Sequence, residues 1–91
     1  MSYPKRVSID VYGTKYHIEV DVSKRDCQEP AHCHVCSGRT RVAQIWLSSC
    51  SFQRTPSEIS HNDRSRILDT VSSNRYELEE AYSHNRFNGA D

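Results

Sequence analysis

Two short segments in which apolar and polar residues alternate constrain the fold of this chain more than any other feature. Residues 7–11 have the sequence Val-Ser-Ile-Asp-Val, and the alternation continues through residues 16–22 after Gly13. A period of two residues is typical of a strand with one buried face. A glycine between two such strands favours a tight turn, because it tolerates a positive φ. The pattern therefore predicts an antiparallel hairpin with Gly13 and Thr14 as its turn.

One register of this hairpin makes both faces chemically consistent. Apolar side chains then face apolar side chains and acids face bases, an arrangement that stabilises neighbouring strands. The expected pairs are Val7 with Val20, Ile9 with Ile18, Val11 with Tyr16, Asp10 with His17, and Arg6 with Asp21.

The rest of the first half predicts a loop and further strands. Residues 23–31 are polar, contain a proline and have no period, so we expect a loop there. Residues 32–36 and 39–47 are expected to form the third and fourth strands, and Trp46 should contribute strongly to a small core. Residues 48–54 alternate too weakly to distinguish a short strand from a loop.

Helix signals begin in the second half, where two starting points compete. Thr55 would cap a helix whose first residue is Pro56, and Glu58 could reach back to the cap. Ser60 and Asp63 form a second capping signal about one turn later. The side chains expected to face inward in this helix are Ile59, Ile67, Leu68 and Val71.

A second helix is expected after a polar break at residues 72–74. Asn74 would cap it, and Glu77 lies three residues further on, as in a capping box. Its expected inward side chains are Leu78, Ala81 and Tyr82.

These segments predict one α+β domain covering residues 1–91. An antiparallel sheet of about four strands occupies residues 5–47, two helices within residues 55–86 pack on one face of it, and residues 87–91 form a tail. With 35% hydrophobic residues, a chain of this length can build one modest core.

Composition also bounds the compartment. No apolar run is long enough to span a bilayer, and residues 1–6 lack the hydrophobic stretch of a secretory signal. We therefore expect a cytoplasmic protein without membrane contact. In that compartment the four cysteines, at positions 27, 33, 36 and 50, are expected as reduced thiols or metal ligands rather than disulfides.

Charge is balanced overall but unevenly distributed. The formal net charge is zero, which disfavours a protein whose main task is to bind nucleic acid directly. Residues 1–55 nevertheless carry a net +3 and residues 56–91 a net −3. A basic sheet side and an acidic helix side are therefore expected, and either could meet a partner of opposite charge.

The third strand carries the highest concentration of side chains that could bind a metal ion or act in catalysis. Because side chains alternate along a strand, His32, His34 and Cys36 would share one face. Cys27 from the preceding loop, or His17 from a neighbouring strand, would complete a tetrahedral zinc site. Alternatively, the histidines bond to backbone or carboxylates while the cysteines pack as small hydrophobes, and no cofactor is then required.

The same strand resembles a known family. Residues 30–35 (Pro-Ala-His-Cys-His-Val), Gly38 and residues 74–82 are similar to the small bacterial proteins of the domain-of-unknown-function 4160 family, and the resemblance covers about residues 5–83. That family has a Pro-His-x-His-Val-type strand and a closing Leu-x-x-x-Trp helix. Here the closing tryptophan is Tyr82.

The resemblance implies a fold and a genomic context, but no biochemical activity. It implies that His32 and His34 are the family's histidine pair, whereas Cys33 stands where the family tends to have phenylalanine. It also implies a compact β-then-α fold and a setting among mobile elements and toxin–antitoxin-like gene pairs. It implies no activity.

An enzyme is not expected from these residues. His32 and His34 could serve as general acid and base in a toxin-like nuclease, and Asp10 opposite His17 could orient an imidazole. However, no serine or cysteine has a recognisable nucleophile context, and no glycine-rich loop is present to bind phosphate.

We instead expect a small non-catalytic protein, from a phage or another mobile element, that blocks a larger protein or ribonucleoprotein sterically. An anti-defence protein such as an anti-CRISPR, or an antitoxin, fits this description. The expected contact is an acidic helix side that competes with phosphates for a basic partner surface, formed by Glu58, Asp63, Asp69, Glu77, Glu79 and Glu80. The opposite orientation uses Arg39 and Arg41, and self-association is a further alternative.

Overall fold

The fold is a five-stranded sheet followed by two helices. In the computed structural model of the chain, residues 7–20 and 30–88 are described, with side chains described up to Ser83. The elements are β1 (Val7–Asp10), β2 (Tyr16–Val20), β3 (His32–Ser37), β4 (Thr40–Trp46), β5 (Ser51–Phe52), α1 (His61–Ser73) and α2 (Arg75–Asn88). The predicted α+β class is confirmed. Within these ranges, neither helix combines the length and apolarity needed to cross a membrane.

The strands follow one another across the sheet in chain order, each antiparallel to the next. The predicted hairpin register is confirmed, since Val7 pairs with Val20 and Ile9 with Ile18. The expected pair of Arg6 with Asp21 lies outside the described residues, as does most of the expected loop at residues 23–31.

The turn of this hairpin is longer than predicted. The Val11 N–H donates to the carbonyl of Tyr16 at 3.0 Å, so residues 12–15 form the connection rather than Gly13 and Thr14 alone. The Thr14 N–H donates to the Val11 carbonyl at 3.1 Å, and Gly13 has a φ of 79°. A glycine with positive φ at the third position of such a turn is the requirement of a type II turn.

The fifth strand is too short for a period of two to reveal it. Its residues, Ser51 and Phe52, pair with Trp46 and Ile45. The sheet therefore has one strand more than the four expected, and this strand covers only one end of the outer edge of β4.

The first helix begins at the later of its two predicted starts. Ser60 is its N-cap, and the Asp63 N–H donates to the Ser60 hydroxyl at 3.1 Å. Ser60 has an extended backbone, so a helix begun at Thr55 could not continue through it. The preceding segment is instead a turn in which the Ile59 N–H donates to the Pro56 carbonyl at 3.1 Å.

A single residue, Asn74, joins the two helices. Its side-chain amide donates to the Thr70 carbonyl at 2.8 Å, at the end of α1, and its own carbonyl accepts from the Leu78 N–H of α2 at 3.0 Å. The second helix continues to Asn88, so residues 87 and 88 are helical rather than part of a tail. Residues 89–91 lie outside the described part of the chain.

The core lies between the helices and one face of the sheet. The predicted inward positions Leu78, Ala81 and Tyr82 are buried, as are Ile67 and Val71 of α1. The core residues of the sheet are Val7, Val11, Tyr16, Ile18, Val20, Cys33, Val35 and Ile45.

The expectation for Trp46 is wrong. Its neighbours Ile45 and Leu47 are buried, but Trp46 itself is only half-buried. It pairs with His32 across the sheet, and alternation places both on the face opposite that of the core residue Ile45.

Candidate functional site

The histidine at the start of β3 is held by packing and by one hydrogen bond. The Nδ1–H of His32 donates to the Pro30 carbonyl at 2.9 Å, which leaves Nε2 as the acceptor nitrogen. Its ring packs edge-on against the rings of His34, Trp46 and Tyr82, at centroid distances of 5.1, 5.9 and 5.2 Å. Both histidines are buried, which disfavours acid–base chemistry on a polymer such as RNA.

The structure does not gather the predicted metal trio of His32, His34 and Cys36 around one point. Side chains on one face of a strand are spaced about 6.6 Å apart, so the first and last of the three stand about 13 Å apart along β3. Cys27, one of the two predicted additional ligands, lies outside the described residues.

A different trio does come together, on two neighbouring strands. Within the described residues, one ligand atom from each of His17, Glu19 and Cys36 lies within 4.8 Å of the other two. His17 lies directly opposite Cys36 in the pairing of β2 with β3, and Glu19 is the next residue of β2 on the same face. We call these three residues the β2–β3 cluster.

Glu19 links the other two members of the β2–β3 cluster. Its carboxylate accepts a hydrogen bond from His17 Nε2 at 3.0 Å. The carboxylate also accepts a hydrogen bond from the Cys36 thiol. The side chains of His17 and Glu19 are 20% and 23% exposed, whereas Cys36 is buried. The cluster therefore has a thiol at its base and an opening to solvent.

The environment of Cys36 favours the protonated thiol. Burial, the hydrogen bond to Glu19 and the negative charge of that residue raise the thiol pKa to about 12, while the charge of Arg41 acts in the opposite direction. Burial, with smaller effects of Cys50 and Cys36, also raises the pKa of Cys33 to about 12. A cysteine nucleophile requires the reverse, a lowered pKa. A cation bound beside Cys36 would favour its thiolate.

The contribution of Glu19 could not be read from the sequence. The hairpin turn fixes the register of β1 with β2, but the eleven mostly polar residues 21–31 separate β2 from β3 and leave their register undetermined. Directly opposite residues on neighbouring strands have Cβ atoms about 4.5–5.5 Å apart, closer than any pair along one strand face. The residues that come together are therefore contributed by two neighbouring strands, whereas the predicted trio lies along β3 alone.

The predicted acidic contact residues are distributed over α2, α1 and the turn before α1. On α2, Glu77 and Glu80 are exposed, and Glu79 is paired with Arg75, whose Nε donates to its carboxylate at 2.7 Å. Glu58 lies in the turn before α1, Asp63 in the first turn of α1, and Asp69 on its exposed side.

An aromatic residue that was not predicted lies beside the α2 carboxylates. Tyr76 is 82% exposed. Residues three or four apart on a helix are neighbours, so Tyr76 and Glu77 each lie next to Glu80. We call Tyr76, Glu77 and Glu80 the α2 patch. The helical period could have revealed Tyr76, because it falls opposite the buried side chain of Leu78.

The two arginines of the alternative contact lie elsewhere. Arg39 is exposed in the turn between β3 and β4, and Arg41 is exposed opposite Cys36 in the pairing of those strands. Arg41 therefore shares the sheet face of the β2–β3 cluster, opposite the core face that the helices cover. The basic candidates therefore belong to β4 and the turn before it, whereas the acidic candidates belong to the helical half of the chain.

Comparison with known proteins gives one result. A family model described as Domain of unknown function (DUF4160) matches residues 16–83, a span that contains both the β2–β3 cluster and the α2 patch. No curated protein and no solved structure matches the chain.

Proposed function

We propose that this chain, which belongs to the DUF4160 family, is a non-catalytic protein-binding domain that covers the surface of a larger protein or ribonucleoprotein. The observation that carries the proposal is the exposure of Tyr76, an aromatic side chain on the outer side of α2 with 82% of its surface open to solvent. Tyrosine is among the residues that most often dominate the binding energy of protein interfaces.

The patch is presented on a fixed support. The opposite side of α2 is anchored in the core by Leu78, Ala81 and Tyr82, all buried. The Arg75 side chain also ties the start of α2 to the turn after β4, because it donates to the Ser48 carbonyl at 3.0 Å. A patch held in this way loses little conformational freedom on binding, which favours affinity.

The charge of the patch indicates the chemistry of its partner. Glu77 and Glu80 are exposed close to Tyr76, within about one turn of the helix. The complementary surface is basic with a recess for the Tyr76 ring, and basic surfaces are those with which proteins bind nucleic-acid phosphates. By occupying such a surface the domain would exclude the nucleic acid, as expected of a cytoplasmic anti-defence protein (anti-CRISPR-like) or antitoxin from a phage or mobile element.

A charge-matched comparison tests this proposal. The chain and its E77K/E80K variant would be used to capture proteins from cells of the natural host, with E58K/D69K as a control that reverses two exposed carboxylates elsewhere. We expect capture of a nucleic-acid-binding protein by the wild type and by the control, loss of capture by E77K/E80K, and displacement by added nucleic acid.

Two results would contradict the proposal in different ways. Equal capture by all three chains would exclude the α2 patch as the contact. If R39E/R41E alone abolishes capture, the rival orientation through the basic residues is correct. Light scattering of the wild type and of E77K/E80K would show whether the chain self-associates and whether the patch is the surface that it uses.

A further inference from the structure

We infer that His17, Glu19 and Cys36 form a binding site for one zinc ion, with water at the remaining coordination position. The site is separate from the proposed protein-binding function, because its three residues lie on β2 and β3 and none of them belongs to the α2 patch. Its three donors are an imidazole nitrogen, a carboxylate oxygen and a sulfur.

The geometry of the β2–β3 cluster is close to that of an occupied site. Ligand atoms bound to tetrahedral zinc at about 2.0–2.3 Å are about 3.3–3.8 Å from one another. Here the three ligand atoms lie within 4.8 Å of one another, and His17 Nε2 and the Glu19 carboxylate are 3.0 Å apart. Movements of the ligand atoms by about 1 Å, made by rotating the side chains, would bring the three atoms to the separations found around tetrahedral zinc.

The donor types select the metal. Magnesium and calcium prefer sites made of oxygen, whereas sulfur and imidazole nitrogen favour zinc and its spectroscopic substitute cobalt. A thiolate and a carboxylate together balance the two positive charges of the ion. This balance matters because Cys36 is buried, where an uncompensated charge would be costly.

The backbone holds the site in place. His17 and Cys36 belong to adjacent strands in the interior of the five-stranded sheet, so ladder hydrogen bonds fix their separation. The pairing of β3 with β4 shifts between Val35 and Cys36, so that Val35 faces Ala43 while Cys36 faces Arg41. The extra residue is Val42 of β4, and bulges of this kind are frequent beside functional sites.

One coordination position would remain available. The partial exposure of His17 and Glu19 leaves the mouth of the cluster open to solvent. Three protein ligands and one water distinguish reactive zinc sites from closed structural ones, which use four protein ligands. Arg41, on the same face, would attract an anion towards that position.

Metal binding by the purified chain, prepared without a histidine tag, tests the inference. Native mass spectrometry should show one zinc ion per chain, removed by a chelator and restored by added zinc. With cobalt instead, we expect the near-ultraviolet absorption of a cobalt–thiolate bond. C36S should abolish that absorption, and H17Q and E19Q should each weaken cobalt binding by at least about 100-fold, since loss of even an outer-shell contact weakens metal affinity 10–100-fold.

The controls are matched in chemistry and differ in position. C50S removes a thiol from the turn after β4, and H61Q removes an exposed imidazole from the start of α1, so neither should change cobalt affinity or absorption. Circular dichroism identifies any variant that fails to fold. If C36S fails to fold, H17Q and E19Q still test the inference, because His17 and Glu19 are partly exposed. A metal-free wild type in the presence of stoichiometric zinc overturns the inference, as does a thiolate absorption that survives C36S or disappears in C50S.

Discussion

His17 and Cys36 face each other directly across β2 and β3, and Glu19 is hydrogen-bonded to both. The carboxylate of Glu19 therefore connects two side chains that are far apart in the sequence. The protonation of the thiol, the orientation of the imidazole and any capacity to hold a cation all depend on Glu19.

Replacing Glu19 with glutamine should make Cys36 more reactive. The substitution removes the negative charge and weakens the hydrogen bond that, after burial, hold the thiol pKa near 12. The pKa should therefore fall, and the rate of alkylation of Cys36 at pH 9 should rise, as measured by mass spectrometry of the labelled peptide. Asp10→Asn is the control, because Asp10 faces His17 from β1. An equal rise in both variants would point to general loosening of the sheet instead.

Cys33 should make stability fall at alkaline pH. Its pKa is about 12 in the folded chain against an ordinary value of 9.0, so between those values the unfolded chain loses a proton that the folded chain retains. Stability then falls by about 1.4 kcal/mol per pH unit for this thiol, whereas below pH 9 it makes no pH-dependent contribution.

Urea unfolding of the wild type and Cys33→Ala between pH 8 and 10.5, under reducing conditions, measures this effect. Other titrating groups are common to both chains and cancel in the difference. The free-energy advantage of the wild type should be constant below about pH 9 and should then shrink by about 1.4 kcal/mol per unit. A difference that does not change with pH would show that Cys33 titrates normally.

The start of α1 can be tested by removing each candidate cap. Ser60→Ala should destabilise the domain by about 1 kcal/mol, because it removes the acceptor of the Asp63 N–H. Thr55→Ala should change stability by less than about 0.5 kcal/mol, since Thr55 is exposed and precedes a turn rather than a helix. Thermal or urea unfolding of the two variants distinguishes the two candidate starts of α1. A larger loss of stability in Thr55→Ala than in Ser60→Ala would show that the helix begins at Thr55.

The anchoring of α2 predicts a contrast between its two sides. Leu78→Ala should cost about 2–5 kcal/mol, because Leu78 is fully buried and its loss leaves a cavity between helix and sheet. Tyr76→Ala, on the exposed side, should alter the free energy of unfolding by less than about 0.5 kcal/mol. A large loss of stability on truncating Tyr76 would mean that the ring supports the fold and is not available to a partner.

The parts of the fold that could be predicted are those fixed by local pattern. The register of β1 with β2 follows from alternation on both sides of a short turn, and the inward positions of both helices follow from their period. The first helix carried two similar capping signals, and only the extended backbone at Ser60 distinguishes them. The large size of Trp46 does not place it in the core, because the alternation of β4 puts it on the face opposite Ile45.

The candidate site was predictable only in part, for a physical reason. The sequence identified Cys36 directly and His17 as one possible addition, but the role of Glu19 depends on how two strands separated by a long polar segment align. Such alignment is decided by packing of the whole sheet. Exposure of Tyr76 was implied by the helical period, but an interaction surface is recognised only once the neighbouring carboxylates are seen beside it.

The β2–β3 cluster and the α2 patch share no residue, and this arrangement has an evolutionary consequence. Helix α2 reaches the cluster face of the sheet through Tyr82, which packs against His32, and not through the exposed residues of the patch. A lineage in conflict with a changing host protein could therefore vary Tyr76, Glu77 and Glu80 rapidly while the cluster evolves at its own pace. The two surfaces should show different substitution rates when relatives of this chain are compared.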